Sequence, residues 1–531
     1  MPNDLVELAL WMLEPDPARR PRGEVIARLV GIDESVSRVQ RLCPEFIGRG
    51  VELERLSAAF TRARQSRARV VHVHGESGIG KTSLLRRFAA VIEEREGVVL
   101  RGACYRDASV PYKALDAVMD RIALRSANIE LPVDAEDRAA LALMFPIFSA
   151  GEGSDLALAE RDPLLIRARA VSAFRKLLAQ LAAQRGVVLC IDDMQWTDLE
   201  SIELLSTLLH PPAAPGLLLV LGYRSAHADW GPRVEVLRKE LPPDDDLPLG
   251  PLDVQAVRAL IESSVVVSAP EVEAISRESG GNPFLLGELV RGRSAGHKAI
   301  SFGAVLASRV SALSPKYLPY LELVCVASRP VDEQVLRRAL GVTQETLLEA
   351  RWVLVADSLV RVAEEREGRS VEPYHDRIRE HLLCGLEPER LRARHSALAE
   401  AYEAEAAVDP EILGFHYRAA GNAAKALTYT ERAADAAAHA LAFDRAADLY
   451  QAALGFVAGD VRVALLVKHG DALANAGRCV EAARTFAAAL EHGENAPQLK
   501  LRAGEDDRKA GSMARAPAFS AEQIAVRASE A

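Results

Sequence analysis

The most constraining residues of this chain are VVHVHGESGIGKTSLLRRF, Val70 to Phe88. Val70 to His74 alternates and is β-branched, as strands prefer. Gly75, Glu76, Ser77, Gly78, Ile79, Gly80, Lys81 and Thr82 fit G-x-x-x-x-G-K-[ST]. Leu84, Leu85, Phe88 and Ile92 then fall on one face of a helix. Strand, glycine-rich turn and helix are the context that a phosphate-binding loop, or P-loop, requires. The glycines let backbone N–H groups curl around phosphates, and the helix N-terminus adds its positive end. Gly75 through Ser83 are the candidate nucleotide contacts. Lys81 is placed for the β- and γ-phosphates, and the Thr82 hydroxyl for Mg²⁺. The expected fold is an α/β P-loop NTPase with a parallel sheet of the ASCE type.

Such a loop needs a second metal partner at the end of a neighbouring strand. GVVLCIDDMQWTD supplies it. Val187 to Ile191 is a continuous apolar run, as buried parallel strands show. It ends in Asp192 and Asp193, at the edge where such sheets hold ligands. Asp192 is the candidate Mg²⁺ partner, through a bound water. Asp193 is the candidate to orient or deprotonate the attacking water. A third apolar run, Leu217 to Tyr223, ends in Arg224. An arginine there can sense a γ-phosphate, or it is a solvated strand end. The catalytic candidates are Asp193, Lys81 and Arg224.

At 531 residues the chain has room for three or four domains. A net charge of -10 argues against coating nucleic acid or an anionic membrane. Six scattered cysteines form no CxxC pair, so a zinc site is not expected, and Cys104, Cys190 and Cys325, in or beside apolar runs, read as buried thiols of a reducing cytosol. No signal peptide is visible, and the apolar runs are too short to span a bilayer. The expected location is cytoplasmic.

Four further stretches have two readings each. Phe46-Ile47-Gly48-Arg49 precedes an amphipathic helix and either backs an adenine ring or only opens that helix. SGGNPFLLGEL, Ser279 to Leu289, is a lid motif or a helix-breaking turn. PYHDRIREHLL, Pro373 to Leu383, carries His375 as a nucleotide contact or a structural histidine. AFDRAADLYQAAL and GRCVEAARTFAAAL repeat at an offset of 36, near the tetratricopeptide period of 34, or belong to a plain helical bundle.

Taken in order, FIGRGVELERL, GESGIGKTSLL, CIDDMQW, LGYR, SGGNPFLLGEL and PYHDRIREHLL resemble the STAND class of P-loop ATPases, the signal-transduction ATPases with numerous domains. The resemblance implies that ATP or ADP sits between the P-loop and a helical lid. Ile47, Gly48, Arg49 and Pro283 would then lie near the adenine, and His375 at the β-phosphate of ADP. It places the segment Arg101 to Asp116 at the second strand, where an acidic residue is expected and Arg106 stands instead. It is similar above all to large bacterial regulators in which a Ser/Thr kinase domain precedes this ATPase and a helical-repeat tail. Asp16, Pro17, Arg20 and Pro21 match the D-P-x-x-R-P that closes kinase catalytic domains. The Gly-rich loop, catalytic loop and DFG needed for phosphoryl transfer are absent, so this chain alone is not expected to be a kinase.

The expected organisation is a kinase C-lobe remnant at 1–30 and a linker at 31–45. An ATPase core at 46–250, a helical lid at 251–295 and a winged-helix-like domain at 300–386 follow. TPR-like repeats at 391–495 and a disordered tail at 496–531 complete it. Strands are expected over Leu354 to Val362, followed by a charged turn at 364–370. Residues 331–380 hold eight Arg and eleven Asp or Glu, so the winged segment lacks the basic excess of a DNA reader. Direct nucleic-acid binding is therefore not expected. The expected function is a slowly hydrolysing ATP switch with a protein partner or small-molecule signal at the repeats, and an ATP-dependent oligomer as a further option. A transcription regulator lacking its DNA-binding domain and a nucleotide-binding scaffold are the competing readings.

Overall fold

The computed structural model describes residues 46–65, 67–105, 111–126, 133–149, 162–210, 214–225, 231–264, 269–294, 302–365, 368–405, 408–457 and 460–492. The kinase-like stretch 1–30, the linker 31–45, Arg106 and the polar tail 496–531 lie outside the described residues.

Strands of five to eight residues build the sheet. Its strands are β1 (Arg69–Gly75), β2 (Val98–Ala103), β3 (Val187–Asp192), β4 (Leu217–Arg224) and β5 (Asp245–Leu249). The order is β2-β3-β4-β1-β5 with every pair parallel. β4 therefore lies between the P-loop strand and the strand that ends in the acidic pair. All eight of its residues are buried, which is why it reads as a continuous hydrophobic run.

Side chains alternate between two cores, as the strand period of two requires. Val188, Cys190, Leu218 and Val220 pack with Val71 and Val73 against α1 (Gly50–Gln65) and α2 (Lys81–Glu94). Leu189, Ile191, Leu219 and Leu221 face the other way, into a larger core. There they meet α3 (Lys113–Ser126), α4 (Ala135–Met144), α5 (Pro163–Gln184), α6 (Leu199–Leu209) and α7 (Gly231–Glu240). Asp162 starts α5 by accepting the Leu164 N–H at 2.9 Å, and Pro163 sits at its first position, where its missing N–H costs nothing.

Three helices follow the sheet: α8 (Val254–Ser264), α9 (Ala269–Ser279) and α10 (Pro283–Ser294). They enclose a small core of their own, and Ile47 packs against it. Glu288 of α10 is fully buried and holds Arg291 of its own helix and Arg309 of α11 (Phe302–Ala312). A buried carboxylate needs this kind of pairing.

The next unit contains α12 (Leu318–Val326), β6 (Val331–Asp332), α13 (Glu333–Leu340), α14 (Gln344–Ala356), β7 (Val360–Glu365), β8 (Gly368–Pro373) and α15 (Asp376–Cys384). Its strands form an antiparallel sheet in the order β6-β8-β7. The hairpin lies further along the chain than the sequence suggested, because Leu354 to Ala356 belong to α14. Leu347, Ala350, Arg351 and Leu354 are buried along one face of that helix, so helical periodicity outweighs the β-branched character of Val353 and Val355. Ser358, with φ 50°, turns the chain into β7.

Six helices complete the described chain: α16 (Pro388–Glu403), α17 (Pro410–Ala419), α18 (Ala423–His439), α19 (Phe443–Leu454), α20 (Asp460–Asn475) and α21 (Cys479–His492). Ala446 and Ala482 are buried at equivalent points of α19 and α21, as are Tyr450 and Phe486. One core runs without a break from Leu306 of α11 to Leu398, Tyr402, Leu413, Tyr417 and Ala426 of α16 to α18. Leu441 and Ala442, between α18 and α19, and Phe443, the first residue of α19, instead join the large core of the first sheet. Among the described residues no helix is long and apolar enough to cross a membrane.

Phe88 of α2 is fully buried under the sheet. Phe88→Ala should destabilise this unit by about 3–5 kcal/mol, read as a lower urea midpoint for loss of the sheet.

Candidate nucleotide site

β1 and β4 pair so that Gly75 lies opposite Arg224. β2 and β3 pair so that Ala103 lies opposite Asp192. The P-loop, the acidic pair and the arginine thus emerge along one edge of the sheet, the carboxyl edge that holds ligands in parallel sheets.

The loop itself is compact. Gly78 and Gly80 adopt φ 82° and 98°, the left-handed region where a side chain is strained. Lys81 starts α2 and folds back, its Nζ donating to the carbonyls of Gly75 at 3.0 Å and Glu76 at 2.9 Å. Its ammonium is buried, and burial pulls its pKa down to about 8 against the opposing pull of Asp193 and Asp192. No carboxylate ion-pairs with it among the described residues. A desolvated cation of this kind fits an anion such as a phosphate. Ser83 points to solvent.

The Thr82 hydroxyl donates to Asp192 Oδ2 at 2.6 Å. These oxygens suit a hard cation such as Mg²⁺, which takes oxygen ligands and keeps several waters. Gly222 of β4 makes the room: a Cβ there would stand 2.5 Å from Asp192 Oδ1. Asp193 is itself in the left-handed region, φ 57° and ψ 36°, a strain that clusters at functional positions. Burial, then the neighbouring Asp192, pushes its carboxyl up to about 7. Gln195 holds it, Nε2 donating to Asp193 Oδ1 at 2.8 Å, while Gln195 Oε1 accepts the Arg224 N–H at 3.0 Å. One amide side chain therefore fixes both the acidic residue and the arginine strand.

The Arg224 guanidinium is buried and pairs with Asp376, the first residue of α15, with Glu380 at 3.7 Å. Burial favours the neutral Asp376 carboxyl, but Arg224 and Arg379 outweigh it and hold the group below its usual range. His375 caps α15, its Nδ1 accepting the Arg377 N–H at 3.1 Å. Its ring stacks on Phe284 of α10 at 3.6 Å between centroids. Burial drives its pKa down to about 3, so the ring is neutral at physiological pH with Nε2 as its remaining donor.

The lid rests directly on the loop. Asn282 Nδ2 donates to the Ser77 carbonyl at 3.0 Å, and the Phe284 N–H donates to the Gly78 carbonyl at 3.2 Å. Pro283 reaches toward Gly80 from the first position of α10. Gly48, with φ 79°, packs closely on Ala256 and Leu252 of the lid side. Arg49 is buried beneath the loop and donates to the Ile79 carbonyl at 3.1 Å and the Gly250 carbonyl at 2.5 Å. It braces the loop from below.

Gln195, Gly222, Asn282, Phe284 and Asp376 were not singled out from the sequence. All five lie inside quoted motifs, and Asn282 had a signal in its capping position before Pro283.

Comparison with known proteins bears on this geometry. Residues 45–221 match the family model described as the AAA ATPase domain. The chain carries a P-loop module of the AAA ATPase kind. No curated relative matches the sequence. Among solved structures, a STAND protein with a tetratricopeptide repeat sensor from Pyrococcus horikoshii is similar at 14% identity, with 88% of this chain and 68% of that chain covered and a TM-score of 0.47. Aeropyrum pernix ORC2 is similar at 15% identity, covering 68% and 98%, with a TM-score of 0.32. Thermotoga maritima RuvB is similar at 19%, covering 64% and 96%, with a TM-score of 0.25. Superpositions this loose carry no argument. The AAA ATPase domain rests on the match at 45–221 and on the geometry above.

Asn282→Ala removes the bond to Ser77 and the cap on the Phe284 and Leu285 N–H groups. The start of α10 should lose about 1–2 kcal/mol, seen as faster hydrogen exchange of the amides at 284–287.

Proposed function

We propose that the chain is an ATP-dependent signalling switch of the STAND kind, built on its AAA ATPase domain. The observation that carries this reading is the Arg224–Asp376 pair. It joins the end of β4, at the nucleotide site, to the start of α15 in the following unit. A γ-phosphate near Arg224 competes with Asp376 for the same guanidinium, so nucleotide state and domain contact become linked. A ligand shifts such an equilibrium only through its differential affinity for the two states.

In this reading the core at 46–250 and the lid at 251–295 hold ATP or ADP. The P-loop backbone from Gly75 to Ser83 and Lys81 bind the phosphates, with Ile47, Gly48, Arg49 and Pro283 bordering the base. Thr82 and Asp192 hold Mg²⁺, which when bound neutralises phosphate charge. Asp193, held by Gln195, orients the attacking water and accepts its proton. His375 offers its Nε2–H to the β-phosphate from the segment at 300–386, a winged-helix-like unit. The helices at 391–495 act as TPR-like repeats that receive a protein partner or a small-molecule signal. An ATP-dependent oligomer is compatible with this scheme. Resemblance at residues 1–30 links the module to Ser/Thr kinase regulators.

The purified chain should bind ATP and ADP and hydrolyse ATP slowly when Mg²⁺ is present. Lys81→Ala should lose binding. Asp193→Asn should keep ATP binding and lose turnover by about 10²–10⁴-fold. An intact chain that binds no nucleotide in calorimetry would sink the reading.

Asp376→Ala removes the nearer carboxylate partner of Arg224 and leaves only Glu380, at 3.7 Å. The ratio of ATP to ADP affinity should then rise by roughly fivefold or more, measured by competition with a fluorescent nucleotide.

A further inference from the structure

Three helix–helix turns in the C-terminal region share one hydrogen-bond pattern. At Gly421-Asn422, Leu441-Ala442 and Gly477-Arg478, the first residue's N–H reaches back three residues and the second's reaches back five. The first residue of each pair is left-handed, with φ 84°, 61° and 77°. Glycine suits that conformation in the outer two turns, whereas the middle one forces it on a leucine. At the following position Asn422 caps its helix, its Oδ1 accepting the Lys425 N–H at 3.2 Å. Ala442 has no oxygen with which to cap α19. The middle turn thus breaks two local rules at once.

Both breaches are answered by the AAA ATPase domain. The Leu441 side chain is buried in the core of that domain, with Ala442 and Phe443. The Leu441 carbonyl accepts a hydrogen bond from the Tyr112 hydroxyl at 3.2 Å. Tyr112 is itself left-handed, at φ 60°, and Asp198 accepts its N–H at 3.3 Å. Glu200 of α6 accepts the Arg445 N–H, the place in α19 that corresponds to Lys425 in α18. A side chain of the ATPase domain therefore caps a helix of the repeat region. Arg445 also pairs with Glu411 of α17, so the seated turn is tied to the neighbouring repeat helix.

We infer that the α18–α19 turn is a releasable lock, a tooth that keeps its strained leucine and borrowed cap only while seated on Tyr112 and Glu200 of the ATPase domain. Local rule-breaking with compensation elsewhere marks functional positions. Seating the tooth and ordering the first turn of α19 are one equilibrium, so anything that withdraws the repeat region also frays that helix start. That withdrawal changes ATP turnover rests on the switch reading above, whereas the seating itself does not.

Hydrogen exchange on the full chain, followed by peptides covering 199–205, 443–448, β1 and α21, tests the lock. Glu200→Ala should speed exchange tenfold or more in both 199–205 and 443–448, and Glu200→Gln, which keeps the acceptor oxygen, should stay near parental rates. Adding Ala442→Asn to Glu200→Ala should restore protection at 443–448 and not at 199–205. Leu441→Gly with Ala442→Asn, the sequence of the 421–422 turn, should release 199–205 while 443–448 stays protected. β1 and α21 should keep parental rates throughout. The inference is overturned if 199–205 stays within twofold of the parent in both Glu200→Ala and the Gly-Asn variant, or if Ala442→Asn fails to restore 443–448. Protection lost evenly across β1 and α21 also overturns it, because the contact is then part of one cooperative unit. Release without any change in ATP turnover leaves the lock standing and counts against the switch reading.

Discussion

The parallel pairing of β4 between β1 and β3 is the constraint on which the rest depends. An eight-residue strand with no exposed position can exist only if helices cover both faces and neighbours satisfy both edges. Once it is placed, Gly75 is fixed beside Arg224 and Asp192 beside Gly222. Phosphate loop, acidic pair and arginine then share an edge, and the Thr82 hydroxyl reaches Asp192 across it. The chemistry is a by-product of register.

At that edge the balance of charge is close and local. Lys81 and Arg224 are cations in a desolvated setting, and Asp192, Asp193 and Asp376 are carboxyls held among them. Burial makes each of these groups depend on its neighbours, since a pair broken in low dielectric leaves a costly unpaired charge. Arg224 has settled on Asp376 across the boundary between two units. The unit that carries Asp376 also meets the lid, where His375 stacks on Phe284, and the lid in turn sends two hydrogen bonds to the P-loop. Three parts of the chain therefore meet within a few residues of the phosphate cradle.

Much of this was legible in the sequence because P-loop chemistry needs fixed residue types at fixed spacing. The strand before Gly75, the helix after Thr82 and the run ending in Asp192 all follow from local pattern. Asp376 did not stand out, because a carboxylate after a histidine gains meaning only when Arg224 arrives from 152 positions away. Gly222 was hidden inside an apolar run, and only the neighbouring Asp192 shows why a side chain is excluded there. The hairpin after α14 was misplaced because Val353 and Val355 have strand propensity, while the burial of Leu347, Ala350 and Leu354 sets the helix. Leu441 looked ordinary in an alanine-rich helix region, since backbone angle is not written in residue type.

The unbroken core from Leu306 to Ala426 has a mechanical consequence. A helix pair that shares its packing with the unit before it cannot swivel independently of that unit. Any rotation at His375 and Asp376 is carried rigidly outward through α16 and α17. That block behaves as a lever arm whose short end lies beside the P-loop edge of the sheet. The arm ends at the start of α18: the helices beyond it pack in a core of their own, and the turn into α19 is held by the core of the first sheet.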